Sequence, residues 1–312
     1  MQTKLQRFCA MPVHQQLFSN YSMLLPASNR HFAVSEKSLK IRMKSVNSIR
    51  KITKAMKMVA ASKMKGDLQR LERGKHFGNE AVDMIFKSDT YMQRRAPEIS
   101  QNPKILLVPL TSDKGLCGGT NSGIVRNLRD FVNRNDRSKL SVFAIGDKGI
   151  SGLVRNMPDL LKVAVSDISK PVNYPTVMAI AEHIVAHGDG KDKIVVYYNE
   201  FKSAISSIIR QMELMPRQRF LDTMRFGKLY NQKYPDKNTS NPALYELYIT
   251  SNLWVAFLNN SAAEQSARMT AMENASKNAK EILEKLKLQY NRARQTRITI
   301  ELVEIISGAS AL

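Results

Sequence analysis

The last seventy residues, 243–312, contain no proline and a single glycine, Gly308. Nothing there obliges a helix to stop, and at ~1.5 Å per residue an unbroken helix of that length would span about 105 Å. Residues 36–96 also lack proline, although Gly66, Gly74 and Gly78 interrupt them. Each glycine weakens a helix by roughly 1 kcal/mol relative to alanine, so a break is expected near residues 74–78. Acidic side chains are missing from the first 35 residues, which carry Lys4, Arg7 and Arg30 together with several serines. A basic, acid-free, serine-containing leader without a continuous apolar stretch fits a mitochondrial transit peptide and argues against a secretory signal. Cysteine is scarce: Cys9 lies in that leader and Cys117 is the other. Removal of the leader would leave no partner for an intramolecular disulfide, as suits a reducing compartment. Long apolar runs are missing too, the longest, such as ILLVPL from 105 to 110, falling far short of the ~18 residues that span a bilayer.

What is present is charge of one sign. The net charge is +21 at pH 7, and residues 36–75 hold thirteen Lys or Arg against three acids. Such a field attracts nucleic acid, anionic lipid or an acidic protein surface, and composition does not choose among them. Aromatic side chains that would stack on bases are lacking over 36–75, Phe77 lying just outside.

Two rods flank a region of different period. In the C-terminal rod, Ala275, Ala279, Ile282, Leu286, Gln289, Ala293, Thr296, Ile300 and Val303 recur at alternating spacings of four and three. That is a heptad seam, made mostly of small or polar members. Asn241 and Pro242 mark its start, as N-cap and first helical residue. Val46, Ile49, Ile52, Met56 and Val59 line one face of the first rod. Between the rods, KILLVPL (104–110), LSVFAIG (140–146), LLKVAV (160–165) and KIVVYYN (193–199) read as strands. Helical patterns separate them, one through Ile124, Val125, Leu128, Phe131 and Val132, another opened by Pro175 and running to His187. The alternation predicts βαβ units and a mainly parallel sheet, with residues 206–215 as a further edge strand. The expected organisation is a leader at 1–35, a long helix at 36–98, an α/β domain at 99–240 and a second long helix at 241–312. A chain with a domain inserted between two rods must fold back on itself, so the rods should pair antiparallel.

Candidate chemistry is thin. The loop Ser112, Asp113, Lys114, Gly115, Leu116, Cys117, Gly118, Gly119 lies between a strand and a helix, where amides can cradle phosphate, but Lys114 precedes the glycines, unlike a P-loop. Glu182 stands before both His183 and His187, not between them as in a zinc protease. Cys117 has no histidine near it in sequence. Arg292, Arg294 and Arg297 cluster with Gln295 ahead of the apolar end 298–312; they fit either a solvated face or forks for carboxylates on a surrounding protein.

Four stretches, SVNSIRKITKAMKMVAASK (45–63), TSDKGLCGG (111–119), AEQSARMTAMENASKNA (263–279) and NRARQTRITIELVEIISGASAL (291–312), resemble in order and spacing the gamma-subunit family of F-type ATP synthase. The resemblance covers essentially everything after the leader. It implies an α/β fold in which the terminal helices form a long antiparallel coiled coil with an inserted Rossmann-like, mainly parallel domain. It also implies a non-catalytic rotary shaft with no cofactor or metal of its own, and no nucleic-acid partner. The implied partners are the alpha and beta subunits in an alpha3beta3 ring, the delta and epsilon central-stalk subunits and the membrane c ring, on the matrix side of the mitochondrial inner membrane. By the same resemblance Arg294 and Gln295 engage a loop of the beta subunit, and Lys114 touches that ring from below. The family commonly has Arg at this last position; Lys keeps the charge without the fork. Leu244, Tyr245, Glu246 and Tyr248 stand where the c ring would be met. From the residues alone, a basic coiled-coil nucleic-acid-binding protein and a small-molecule enzyme built on the Gly-rich loop remain as other readings.

Overall fold

The computed structural model of the 312-residue chain describes residues 35–80, 103–225 and 237–310. The leader up to residue 34, the expected continuation of the first rod past residue 80 and residues 226–236 lie outside them. Helix α1 covers Glu36–Lys75, and its last turn widens into a π turn over His76–Glu80. Strand β1 (Ile105–Pro109), α2 (Thr120–Arg134), β2 (Leu140–Ile145), α3 (Asp147–Asn156), β3 (Leu161–Val165), α4 (Tyr174–Gly188), β4 (Lys193–Phe201) and β5 (Ser207–Leu214) follow. A short α5 (Arg217–Arg225) and the 74-residue α6 (Lys237–Ser310) complete the order. At ~1.5 Å per residue α6 is about 110 Å long.

The sheet order is β3-β2-β1-β4-β5. β1 pairs in parallel with β2 and β4, β2 with β3, and the edge strand β5 runs antiparallel to β4. The central strands β1 and β2 are buried along their whole length, which is why they read as unbroken apolar runs. Alternate residues of β1 serve opposite faces. Ile105 and Leu107 meet Ile124 and Leu128 of α2 and Leu153 of α3. Leu106 and Val108 meet Ile180 and Ile184 of α4 together with Tyr245, Ile249, Leu253 and Phe257 of α6. The base of α6 is thus one of the domain's own layers.

The start of α6 corrects the expectation from Asn241 and Pro242. The helix begins at Lys237, leaving Pro242 inside it. Proline is tolerated there because so near an N-terminus it removes only one intrahelical bond.

Helices α1 and α6 pair antiparallel: Lys57 Nζ meets Glu273 at 3.1 Å, Ser261 Oγ donates to Asp67 at 3.0 Å, and Arg297 meets Glu36 at 2.8 Å. On α1 and the π turn after it, the covered positions include Leu39, Met43, Val46, Arg50, Thr53, Lys57, Ala60, Met64, Asp67, Leu71, Gly74 and Gly78, a continuous four-three repeat. Of the five residues expected on this face only Val46 and Met56 are covered; Ile49, Ile52 and Val59 point outward. On α6 the covered row is Met272, Ser276, Ala279, Leu283, Leu286, Tyr290 and Ala293. One of the two expected rows, Ala279, Leu286 and Ala293, is in register; the other falls one residue later than Ile282 and Gln289, which are exposed. The physical reason is that small residues set the approach here, so apolar character does not identify the seam. A Cβ on Gly74 would sit 2.2 Å from Leu258 Cδ1, and one on Gly78 would sit 2.1 Å from Val255 Cγ2. These glycines let the helices close on each other, and the regular helix ends between them at Lys75, giving way to the π turn in the stretch where a break was expected.

Candidate functional site

The carboxyl ends of the parallel strands form the crevice in which doubly wound domains hold their ligands. In this chain its own helix α6 fills that crevice, and the strand-end loops grip the helix over residues 260–270. Asn260 Oδ1 accepts from Asn199 Nδ2 at 3.0 Å, near the end of β4. Glu264 is buried and bonds Lys170, from the loop between β3 and α4. Ser266 Oγ donates to Ala204 O at 2.7 Å, in the turn between β4 and β5. Arg268 Nη2 donates to Glu264 Oε1 at 2.7 Å and to the carbonyls of Lys114 and Gly115 at 3.3 and 3.2 Å, in the loop between β1 and α2. From the other side Asp67 of α1 accepts from Ser261. Burial pushes the Asp67 carboxyl above its usual range, against the lowering effects of Ser261 and Arg70. The space left within this collar, lined by Asp113, Lys170, Asn260 and Glu264 among others, is about 20 Å³, room for a single water.

The loop holding Lys114 is built from within. Asn121 Nδ2 donates to Ser112 Oγ at 2.8 Å and to Cys117 Sγ at 3.2 Å, while the Ser112 N–H donates to Asn121 Oδ1 at 3.1 Å. Cys117 is buried at 2 % exposure and serves this network. Leu116 holds a left-handed backbone (φ 64°) that turns its side chain outward, 61 % exposed. Lys114 is exposed beside it. The same loop borders a shallow groove of about 480 Å³ carrying Arg126, Arg129 and Lys148. The apolar face of α2 is what its sequence shows first; Arg126 and Arg129, three apart on the opposite face, are the sequence signal for the cations of the groove.

Arg294 and Gln295 are exposed on α6, just before its pairing with α1 ends. Along the axis they stand about 39 Å from Arg268. Arg297 pairs with Glu36, the first residue of α1, and that carboxylate also raises the pKa of Tyr290. Beyond it α6 continues for roughly 20 Å to Ser310, bordered among the described residues by the first turn of α1 as far as Glu304. Ile298, Ile300, Leu302, Val303, Ile305 and Ile306 there are all more than half exposed. The expected seam members Thr296, Ile300 and Val303 are exposed; Thr296 and Ile300 border a groove with the first turn of α1, Glu36, Lys37 and Lys40.

Among the four residues expected to look downward, Tyr245 is an interior residue. It is 1 % exposed, its hydroxyl donates to Met215 O at 3.2 Å, and its ring lies 5.1 Å from that of Phe220. Tyr248 stacks on Phe220 at 5.3 Å and Leu244 packs against the same core, leaving Glu246 exposed. Burial raises both tyrosine pKa values. His187 makes a 2.8 Å contact through Nδ1 with His183 O and sets its ring against Phe143. Among the described residues no group of His, Cys, Asp and Glu is arranged to hold a metal, and no helix is long and apolar enough to cross a membrane.

The chain is similar to known proteins over most of its length. The ATP synthase family profile matches residues 35–312. The mitochondrial ATP synthase F(1) complex subunit gamma of Dictyostelium discoideum is 34% identical over 92% of this chain and 94% of its own length. The sweet potato (Ipomoea batatas) mitochondrial ATP synthase subunit gamma is also 34% identical, over 90% of this chain and 86% of its own. A chain in the central stalk/c-ring structure of the Tetrahymena thermophila mitochondrial ATP synthase superposes with a TM-score of 0.67 at 44% identity, covering 72% of this chain and 99% of that one. This chain belongs to the gamma-subunit family of the F-type ATP synthase.

Proposed function

We propose that this chain is the central rotary shaft of a mitochondrial F1Fo ATP synthase, carrying proton-driven rotation of the c ring to the catalytic beta subunits. It is a non-catalytic subunit, peripheral on the matrix side of the inner membrane. Its partners are the alpha3beta3 ring, the delta and epsilon subunits of the central stalk and the c ring. The single observation that carries this reading is a 74-residue helix clamped at one third of its length by an α/β domain and projecting bare and apolar at its far end. A helix end with six large apolar side chains in water is costly, at about 25 cal/mol per Å² of apolar surface, and calls for a socket. The outward row of Ile41, Ile49, Ile52 and Val59 on α1 calls for a sleeve in the same way.

Two levels of contact with the beta subunits follow. Arg294 and Gln295 act high on the shaft, and Lys114 acts at the collar, joined by Arg126 and Arg129 of the neighbouring groove; cations in this arrangement fit carboxylates on a surrounding ring. Glu246, exposed beside the aromatic cluster at the base, is the residue of the four that remains available to the c ring. Native mass spectrometry of the purified complex tests the reading: one copy of this chain per three alpha and three beta subunits is expected, and a soluble homodimer without them overturns it. A nucleic-acid role has no observation in its favour beyond charge, and the outward residues of α1 include apolar side chains, which suit a protein sleeve better than a phosphate backbone.

A further inference from the structure

We infer that Arg268 is a positioning residue that fastens the Lys114 loop to the shaft helix, so that the loop and α6 turn as one body. The inference rests on the shaft reading above for its functional meaning, but its structural half stands separately. Arg268 is nearly buried, with 12% of its side chain exposed, and its guanidinium is committed on two sides. Nη1 donates to Gln265 Oε1 at 3.0 Å and Nη2 to Glu264 Oε1 at 2.7 Å, which fixes the fork to α6 itself. Glu264 is held in turn by Lys170 from the next loop. The two hydrogens of Nη2 are shared with the carbonyls of Lys114 and Gly115, the residues just before the left-handed Leu116. The loop's other anchors are internal or reach the rest of the α/β domain, none of them reaching α6: Ser112, Asn121 and Cys117 bond one another, Asp113 accepts from the N–H groups of Asp147 and Asp167, and Ser112 O accepts from Lys148 N–H. Arg268 therefore supplies its polar link to the rotating axis.

The chemistry explains why arginine is required. The fork divides the work: Nη1 is held by Gln265 while Nη2 reaches Glu264 and the two loop carbonyls, whereas lysine has one nitrogen on a flexible stem and cannot hold Gln265 as well in a fixed plane. The loop presents Lys114 about 39 Å below Arg294, so two contacts on a rotor stay in phase only if the lower one cannot lag the helix.

The test uses the assembled complex with Arg268→Ala and Arg268→Lys, read by hydrogen exchange at residues 113–118 and by protons pumped per ATP hydrolysed. Ser266→Ala, which frees the turn between β4 and β5 instead, is the control. Both Arg268 variants are expected to raise exchange in the loop, about tenfold for alanine, and to lower the pumping ratio. The lysine variant should assemble normally because Glu264 keeps a cation, so its uncoupling cannot be ascribed to misfolding. Unchanged exchange at 113–118 in both assembled variants overturns the inference, as does an equal rise there in Ser266→Ala. Lys114→Ala separates this from the shaft reading: if it leaves the pumping ratio intact while Arg268→Ala still loosens the loop, the fastening stands and the contact assigned to Lys114 falls.

Discussion

Gly146 has a backbone φ of 95° and a Cβ there would lie 2.3 Å from the carbonyl oxygen of Thr111. Both the left-handed conformation and the fixed backbone neighbour forbid a side chain, so Gly146→Ala should destabilise the domain by on the order of 2–4 kcal/mol, measured by denaturant unfolding. Asp67 acts in the opposite sense. Its folded pKa is raised by burial, so the folded chain holds that proton more tightly than the unfolded one. Its contribution to stability is therefore fully present below pH 3.8 and is lost as pH rises through the raised value. Asp67→Asn keeps an acceptor for Ser261 without the buried charge; it should raise the melting temperature at pH 7 and abolish this part of the pH dependence. Arg294→Ala combined with Gln295→Ala removes exposed side chains and should leave unfolding unchanged. In the complex it should weaken coupling through loss of contacts worth about 1–3 kcal/mol. Unaltered torque and ATPase rate in that double variant would show the contact to be dispensable.

At the scale of elements, the strands were legible because β1, β2 and β4 are covered on both faces and so read as apolar runs bounded by turns. Helix α3 was not. It is ten residues long and contains Gly149 and Gly152, which its packing demands: Thr111 Oγ1 lies 2.3 Å from where a Cβ of Gly149 would be. Two glycines in ten residues blur a helical pattern, yet here they are close approaches. The coiled-coil seam was legible only where its members are alanine or leucine. On α1 the partner face is lined by Thr53, Ala60, Gly74 and Gly78, while Ile49, Ile52 and Val59 are spent on the outside. Apolar periodicity therefore reported the outward surface and not the pairing. The end of α6 carries its own prediction: deleting residues 305–312, past the last α6 residue that shares a groove with α1 among the described residues, should shift the melting temperature by less than about 2 °C.

Taken whole, the molecule is a domain closed on its own helix. An α/β sheet whose carboxyl-end crevice would ordinarily admit a ligand grips α6 there with bonds from Asn199, Lys170, the carbonyl of Ala204 and the loop of Lys114. Polar bonds suit such a clamp, because their directionality resists twisting about the helix axis in a way that non-directional apolar contact does not. The collar was invisible in the sequence, since its partners are separated by 61 residues for Asn199 and Asn260 and by 154 for Lys114 and Arg268. Lys114, Arg294 and Gln295 stand on the motifs and are exposed, whereas Tyr245 is buried; an aromatic near a helix start gives no sign of which side it faces. The claim that unites these scales is that the chain turns inside its partners. The direct measurement is to immobilise the complex by its beta subunits, attach a bead through a cysteine at the hairpin residue Ile205, which is 85% exposed, and watch it during ATP hydrolysis. The account predicts unidirectional rotation that slows with ATP depletion; a stationary bead on a complex that still hydrolyses ATP would contradict it.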